Sequence, residues 1–286
     1  MNAVERVDHY IHNIESEADL VIGDKRPEPE WPQKGDIEIQ DLELSYREGL
    51  PPVLHGINLS IRGGEKIGVV GRTGAGKSSI MVALFRVVEA SRGSIAIDGI
   101  DISTIGLHDL RSKLAIIPQD PVLFTGTVRS NLDPFNYHTD QELWDVLGRA
   151  DLKTYFSALP GGLESDIAEG GENLSAGQRQ LLCLARAMLT HSKIVIMDEA
   201  TASVDVQTDA LLQKALRIDF AECTVLTIAH RLNTVIDYDK ILVLDGGRVK
   251  EFDSPKNLLS DANSSFYSMV QETGPTNAAL LMSLAK

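Results

Sequence analysis

Cysteine, long apolar runs and positive charge are all scarce in this 286-residue sequence. The two cysteines, Cys183 and Cys223, each stand in an apolar stretch, so we expect buried thiols rather than a disulfide framework. No segment approaches the roughly 18 consecutive apolar residues of a membrane-spanning helix, and no basic stretch followed by an apolar run resembles a signal peptide. These absences predict a soluble chain, and the cysteine usage favours the cytosol.

The charge balance is strongly acidic, with a net charge of -14 and a pI near 4.9. Proteins that bind nucleic acid neutralise phosphates with clustered Lys and Arg, so this balance argues against a nucleic-acid partner. Hydrophobic residues make up 43% and charged residues 24% of the chain, which is typical of a globular protein with a sizeable core. Because the chain is acidic overall, any phosphate-binding site must obtain positive charge from groups close to it.

Composition divides the chain into residues 1–35, 36–271 and 272–286. In the first part, apolar residues recur at helical spacing from Val4 to Ile14, and the stretch GDKRPEPEWPQKG then carries three prolines, which favours an extended connector. The second part holds the patterns of a folded domain. The tail contains helix formers without an evident partner, and we assign it no role.

The domain opens with two alternating segments, DIEIQDLELSY and VLHGINLSI, which predict an antiparallel strand pair. Next come the apolar run KIGVV, a Gly-rich loop and the helical stretch SSIMVALFRVV. From about residue 125 to 190 the pattern is helical, which predicts an inserted helical lobe. Strand patterns return in KIVIMDEA, CTVLTIAH and KILVLDGG, separated by a helix, which indicates an α/β domain with a parallel sheet covered on its faces.

The loop GRTGAGKSS fits the phosphate-binding pattern G-x-x-x-x-G-K-[ST]. Its glycines let backbone N–H groups point at phosphate oxygens, and the helix that follows adds its positive N-terminal end. Lys77 can reach the β- and γ-phosphates, and the Ser78 hydroxyl is the expected Mg²⁺ ligand. The alternative is a plain Gly-rich turn. The predicted nucleotide-binding residues here are Gly71, Arg72, Thr73, Gly74, Ala75, Gly76, Lys77, Ser78 and Ser79.

The segment KIVIMDEA ends a predicted buried strand in two consecutive carboxylates, Asp198 and Glu199. Ligands of parallel sheets bind at the carboxyl ends of the strands. We expect Asp198 to hold Mg²⁺, directly or through water, and Glu199 to accept a proton from the attacking water. The alternative is a solvated turn that happens to contain two acids.

The motif LSAGQ, in ENLSAGQRQLLCLARAML, resembles the signature motif of ABC ATPases. It follows a Gly-rich turn and opens a helix, so Ser175, Gly177, Gln178 and the free backbone donors there form a second anion-binding surface. In that family this surface completes the ATP site of another nucleotide-binding domain. The alternative is that Ser175 is a helix N-cap and nothing more.

Other positions match the family one at a time. Gln119 in IIPQDPVLF resembles the glutamine that touches Mg²⁺ and the attacking water, and His230 in VLTIAHRL resembles the histidine that contacts the γ-phosphate. Tyr46 in LELSYREG resembles the aromatic residue that stacks on adenine. Without the family context, a strand-end His is more often structural and Tyr46 fits ordinary strand surface. Ser203 and Asp205 in ATASVD match the segment that crosses the dimer interface.

The resemblance covers about residues 36–271 and is greatest to the C subfamily, the multidrug-resistance-associated transporters, in particular their second nucleotide-binding domain. It implies the P-loop NTPase fold of ABC ATPases: a RecA-like parallel-sheet core, an antiparallel β subdomain and an inserted helical subdomain. The first helix resembles the segment that leaves the last transmembrane helix. The chain is therefore expected to be a fragment of a longer transporter, lying at the cytosolic face of a plasma or vacuolar membrane.

The resemblance implies an ATP- and Mg²⁺-dependent ATPase that drives an exporter. Its partners would be a second ABC nucleotide-binding domain, head to tail across two ATP molecules, and the transmembrane domains of the parent transporter. One alternative is an ATP-sensing domain that regulates a channel, and the presence of Glu199 and His230 argues against it. A soluble ABC ATPase of DNA repair or translation is a further alternative, although no coiled-coil arm or basic surface is visible in this sequence.

Overall fold

The structure, a computed structural model, describes residues 3–13, 16–47, 49–198, 206–229 and 231–285. Within these ranges the helices are α1 (Ala3–Asn13), α2 (Lys77–Leu84), α3 (Leu107–Arg111), α4 (Val128–Leu132), α5 (Asp140–Arg149), α6 (Lys153–Ser157), α7 (Ala176–Leu189), α8 (Val206–Ile218), α9 (Pro255–Ser260), α10 (Ser265–Glu272) and α11 (Pro275–Leu284). The strands are β1 (Ile37–Leu44), β2 (Leu54–Ile61), β3 (Lys66–Gly71), β4 (Arg92–Ile97), β5 (Ile100–Asp101), β6 (Leu114–Ile117), β7 (Gly126–Thr127), β8 (Asp166–Ile167), β9 (Ile194–Asp198), β10 (Thr224–Ile228), β11 (Lys240–Asp245) and β12 (Arg248–Asp253).

The central sheet has six strands in the order β12-β11-β3-β10-β9-β6. Its strands pair in parallel from β11 to β6, and β12 adds an antiparallel edge. All residues of β10 are buried, as expected for a strand covered on both faces. The predicted parallel-sheet core is therefore confirmed.

A second sheet, ordered β2-β1-β4-β5, is antiparallel throughout. Its strand β1 alternates buried and exposed residues at first, and the register then shifts between Ile39 and Leu42. At this irregularity Asp41 has a φ of 47°. The two opening segments pair as predicted, and the antiparallel β subdomain is confirmed.

The inserted helical lobe is also confirmed. Apolar residues of α4, α5, α6 and α7 share one core cluster, which also takes in buried residues of β6 and β9. Capping boxes start α4 at Thr127 and α5 at Thr139. A short antiparallel ribbon, β7 with β8, was not predicted from the sequence because two-residue strands carry no periodic signal.

The ends of the chain differ in how they pack. Every residue of α1 is exposed, whereas Trp31 in the connector is 5% exposed and belongs to a core cluster with the antiparallel sheet. The tail forms α11, and Ala278 and Leu281 bury its inner face in a third cluster with α10 and β11. No helix within the described ranges is both long and apolar enough to cross a bilayer.

Candidate functional site

The predicted phosphate-binding loop connects the end of β3 to the start of α2. Gly71 has a φ of 153°, and a Cβ atom there would collide with the carbonyl oxygen of Leu244 on the neighbouring strand β11. Gly76 has a φ of 97°, and a Cβ atom there would lie only 2.9 Å from Leu54 Cδ2. Glycine is therefore required at both ends of the loop, for backbone conformation and for space.

Lys77, the first residue of α2, turns its side chain into this loop. Its Nζ donates to the carbonyl oxygens of Gly71 at 2.9 Å and Arg72 at 3.3 Å, and the residue is only 7% exposed. The loop thus encloses a positive charge at the N-terminal end of a helix, in a chain that is acidic overall. This supplies the local positive charge that the sequence required of a phosphate site.

Two neighbouring serines in the first turn of α2 have different surroundings. Ser78 is exposed, so its hydroxyl is accessible to a ligand on the loop. Ser79 is buried, and its Oγ lies 3.0 Å from the Tyr46 hydroxyl. Tyr46 follows β1 and is 45% exposed. The structure therefore brings Tyr46 beside the loop, while stacking on adenine stays a prediction.

Asp198 and Gln119 lie at the same edge of the central sheet as the loop. Asp198 ends β9, where it is paired with Ile228 of β10, and Ile228 is in turn paired with Val69 of β3. Two strand spacings thus separate β9 from β3, roughly 10 Å. Gln119 is exposed, two residues beyond the end of β6. All three predicted Mg²⁺ ligands therefore lie at the carboxyl ends of parallel strands or at the helix that follows one.

Four predicted positions, Glu199, Ser203, Asp205 and His230, lie outside the described residues. In the sequence, Glu199 follows the last residue of β9, and His230 stands two residues beyond the end of β10. Their roles stay predictions.

The signature motif starts α7 with an N-cap. Ser175 Oγ accepts a hydrogen bond from the Gln178 N–H at 3.1 Å, and Gln178 Oε1 accepts one from the Ser175 N–H at 2.9 Å. This capping box engages two of the donors that the sequence assigned to an anion site. The N-cap is confirmed as local geometry, and the anion-binding role of Ser175, Gly177 and Gln178 stays a prediction.

Gln180 is a residue that the sequence analysis did not single out. It is 1% exposed on α7, and its Nε2 donates to the Pro118 carbonyl at 3.1 Å, directly before Gln119. The signature helix is thus tied to the loop that carries Gln119. The available signal was an amide on the otherwise apolar face of QRQLLCLARAML.

Polar contacts also hold β10, the strand that leads to His230. Thr227 Oγ1 lies 3.0 Å from the Tyr238 hydroxyl, and burial raises the pKa of Tyr238 to about 12, so the phenol stays protonated at neutral pH. At the opposite end of the sheet, Lys66 Nζ donates to the Gly64, Ala221 and Cys223 carbonyls. Burial lowers the pKa of this ammonium.

Known proteins with sequences similar to this chain include ABC transporters. The family described as "ABC transporter" matches residues 54–202, just over half of the chain. ABC transporter C family member 12 of Dictyostelium discoideum is 56% identical over the whole chain, which covers 22% of that protein. ATP-binding cassette sub-family C member 2 of Rattus norvegicus is 55% identical over 96% of the chain and 18% of that protein. The chain thus spans about a fifth of the length of these relatives.

A solved structure of a bacterial Atm1-family ABC exporter with ATP bound superposes with a TM-score of 0.85. The two chains are 29% identical, and the match covers 95% of this chain and 47% of the exporter chain. Sequence and structure therefore agree on the ABC ATPase fold, and the sequence comparison adds similarity to C-subfamily proteins. On this evidence, the chain belongs to the ABC transporter family.

Proposed function

We propose that this chain is the ATP-binding and ATP-hydrolysing motor domain of an ABC-type transmembrane exporter. The observation that carries the proposal is a phosphate-binding loop that encloses the Lys77 ammonium, at the sheet edge where Asp198 and Gln119 also lie. The structural neighbour is an exporter described with ATP bound, which supports ATP as the nucleotide.

In this function the loop residues bind the triphosphate. Backbone N–H groups from Gly71 to Ser78 surround the phosphate oxygens, and Lys77 exchanges its loop carbonyls for the β- and γ-phosphates. Tyr46, held beside α2 by Ser79, offers its partly exposed ring to the adenine. Binding thus needs residues of this chain alone.

The side chains around the loop also fit Mg²⁺. Ser78, Gln119 and Asp198 offer a hydroxyl, an amide and a carboxylate oxygen, which are the hard ligands that Mg²⁺ prefers. Among the described residues no group of three or more His, Cys, Asp and Glu could hold a metal by itself. A Mg²⁺ site made of one or two carboxylates and nucleotide phosphates does not need such a group. When bound, the ion would neutralise charge that develops on the phosphates.

Hydrolysis requires groups beyond the binding loop. Glu199 accepts a proton from the attacking water, and His230 contacts the γ-phosphate. A second nucleotide-binding domain, head to tail with this one, presents its own signature motif to the γ-phosphate and excludes water as the pair closes. This chain's Ser175, Gly177 and Gln178 serve the partner's nucleotide in the same way.

Exposed aromatic residues in the segment that follows Gln119 support a membrane-embedded partner. Phe124 is 67% exposed, and Phe135 and Tyr137, stacked with ring centroids 5.6 Å apart, are 71% and 80% exposed. Buried Asn131 fixes the backbone of Phe124 through hydrogen bonds with its N–H and carbonyl at 2.9 and 2.8 Å. Clustered, exposed apolar groups mark interaction surfaces. We propose that transmembrane domains of the parent transporter dock here, at the cytosolic face of a membrane.

The test is steady-state ATPase activity of the chain as a function of protein concentration, with Glu199→Gln as the matched variant. A dimeric mechanism predicts a specific activity that rises with concentration and is lost in the variant, while ATP binding by calorimetry is retained. ATP binding without turnover in the native chain would support the regulatory alternative instead. Absence of ATP binding would refute the proposed function.

A further inference from the structure

Residues 17–34, here called the strap, follow the surface of the domain although their composition predicts only a connector. The N–H groups of Leu107 and His108, at the start of α3, donate to the Asp19 and Leu20 carbonyls at 3.0 and 2.9 Å. The first N–H groups of a helix have no partner within the helix. The strap therefore supplies acceptors that α3 needs.

Gly106, immediately before α3, shows how closely the strap approaches. A Cβ atom at Gly106 would collide with the Leu20 carbonyl oxygen and would lie 2.7 Å from Val21 Cα. Its φ of -67° is one that any residue adopts. Glycine is thus required here only to leave room for the strap.

Side chains fix the strap at three further points. Glu17 forms a two-pronged ion pair with Arg111, at 2.8 and 3.0 Å, and Arg26 pairs with the buried Asp109 at 2.7 Å. Trp31 is buried and donates from Nε1 to the Ile97 carbonyl at 2.9 Å. Exposed ion pairs alone contribute little, but here they accompany backbone bonds and a buried aromatic ring.

Arg111 contacts both the strap and the phosphate-loop helix. Besides Glu17, its guanidinium donates from Nε to the Phe85 carbonyl at 3.0 Å and from NH2 to the Arg86 carbonyl at 2.9 Å. These carbonyls lie just beyond α2, where a cation stabilises a helix. The hydrogen bond from Arg111 lowers the pKa of Glu17 and raises that of Arg111, so both stay charged.

The strap therefore contacts segments that lead to two parts of the nucleotide site. Helix α2 begins at Lys77 and, with eight residues, is about 12 Å long, so the carbonyls that Arg111 binds lie one short helix away from the phosphate loop. Helix α3 runs within three residues into β6, and Gln119 lies two residues beyond that strand. The exposed helix α1 ends at Asn13, before the strap begins at Glu17.

We propose that the strap is a positioning element for the nucleotide site, and that Arg111 is the positioning residue that couples strap docking to the phosphate-loop helix. Undocking the strap then tilts α2 and weakens ATP binding. The proposal rests on the proposed function, because it requires a nucleotide on the loop that α2 begins.

The primary test is Gly106→Ala in the full chain, with Gly23→Ala as the matched control. Gly23 lies within the strap, with nothing within 4 Å of its Cβ position and no positive φ. Two quantities are measured: amide hydrogen exchange of residues 17–34, and the Kd for ATP in the presence of Mg²⁺ by calorimetry. We expect Gly106→Ala to accelerate strap exchange and to raise the Kd by about two- to ten-fold. We expect Gly23→Ala to change neither quantity.

A second pair of variants avoids the risk that Gly106→Ala fails to fold. Glu17→Gln alters a side chain that is 56% exposed, and Arg111→Lys removes the guanidinium fork. Each substitution should raise the Kd for ATP. The double variant should bind ATP no more weakly than Arg111→Lys alone, because both changes break the same connection between the strap and α2.

The outcomes separate the two proposals. A native chain that does not bind ATP overturns the proposed function and the strap proposal with it. A native chain that binds ATP, together with a Gly106→Ala variant whose strap exchanges rapidly at an unchanged Kd, overturns the strap proposal alone. A strap that stays protected in Gly106→Ala, or an unchanged Kd in both Glu17→Gln and Arg111→Lys, also overturns it.

Discussion

Two glutamines whose amide nitrogens are buried should respond in opposite ways to the same substitution. Gln180 on α7 donates from Nε2 to the Pro118 carbonyl at 3.1 Å and is 1% exposed. Gln213 on α8 is half-buried, and its buried Nε2 has no hydrogen-bond partner among the described residues. Methionine has nearly the volume and flexibility of glutamine, so Gln180→Met and Gln213→Met change polarity and leave packing nearly intact.

The magnitudes follow from these contacts. Gln180→Met removes a hydrogen bond worth about 1 kcal/mol and leaves the half-buried Pro118 carbonyl without its donor, for a loss of about 1 to 2 kcal/mol. In a domain of this size that lowers the melting temperature by about 3 to 6 °C. Gln213→Met removes a polar group that is desolvated without compensation, so its stability should be unchanged or higher by about 1 kcal/mol.

Thermal unfolding of the two variants and the native chain measures this difference. For Gln180→Met we also expect a lower kcat for ATP at an unchanged Kd, because Pro118 precedes Gln119 and is not part of the phosphate loop. Equal destabilisation of both variants would refute the reasoning, since packing rather than hydrogen bonding would then set the stability. A rise in the Kd for Gln180→Met would refute the functional part.

Two further predictions concern Asp98, a carboxylate that accepts hydrogen bonds from the end of the strap, and the signature serine. Burial alone would raise the pKa of Asp98, but N–H groups of residues 33–36 together lower it below its ordinary 3.8. The stabilisation that Asp98 provides is therefore complete above pH 3.8 and is lost as the pH falls through the folded-state pKa. In urea unfolding, Asp98→Asn should lower the free energy of unfolding by about 1 to 3 kcal/mol at pH 7 and by less near pH 3. A difference between native chain and variant that is the same at both pH values would contradict this. Ser175→Asp keeps the N-cap acceptor but adds a negative charge, so it should preserve the melting temperature and abolish ATPase activity, whereas a loss of both would show that Ser175 matters only for folding.

The parts of the fold that were predicted from sequence are those whose signal is local. The strands β3, β9, β10 and β11 are short apolar runs bounded by polar or turn residues, and burial in a parallel sheet requires that pattern. The phosphate loop was predictable for the same reason, because glycine spacing, Lys77 and the following helix all lie within one stretch. Because ligands of parallel sheets bind at the carboxyl ends of the strands, Asp198 could be predicted to lie near the loop without knowledge of any contact.

The contacts that were not predicted join distant parts of the chain. Three prolines and mixed charges indicate an extended segment, and an extended segment can be free or docked with the same composition. Docking of the strap depends on Asp109, on the space at Gly106 and on the Ile97 carbonyl, all more than 60 residues away in sequence. The partner of Gln180 is likewise 62 residues away. Contacts between residues so far apart in the sequence leave no periodic pattern from which they could be predicted.

The signature serine shows a different limit, because one residue can meet two requirements at once. A hydroxyl accepts and donates, so Ser175 Oγ can accept the Gln178 N–H as an N-cap while its own O–H points to a phosphate oxygen. The N-cap and anion-binding interpretations are thus compatible, and observing the capping box leaves the second one open. The capping box also fixes the Ser175 side chain before any nucleotide arrives, which reduces the entropy that ordering it would cost on closure. A cap at this position is therefore what a preorganised phosphate contact requires, rather than an alternative to it.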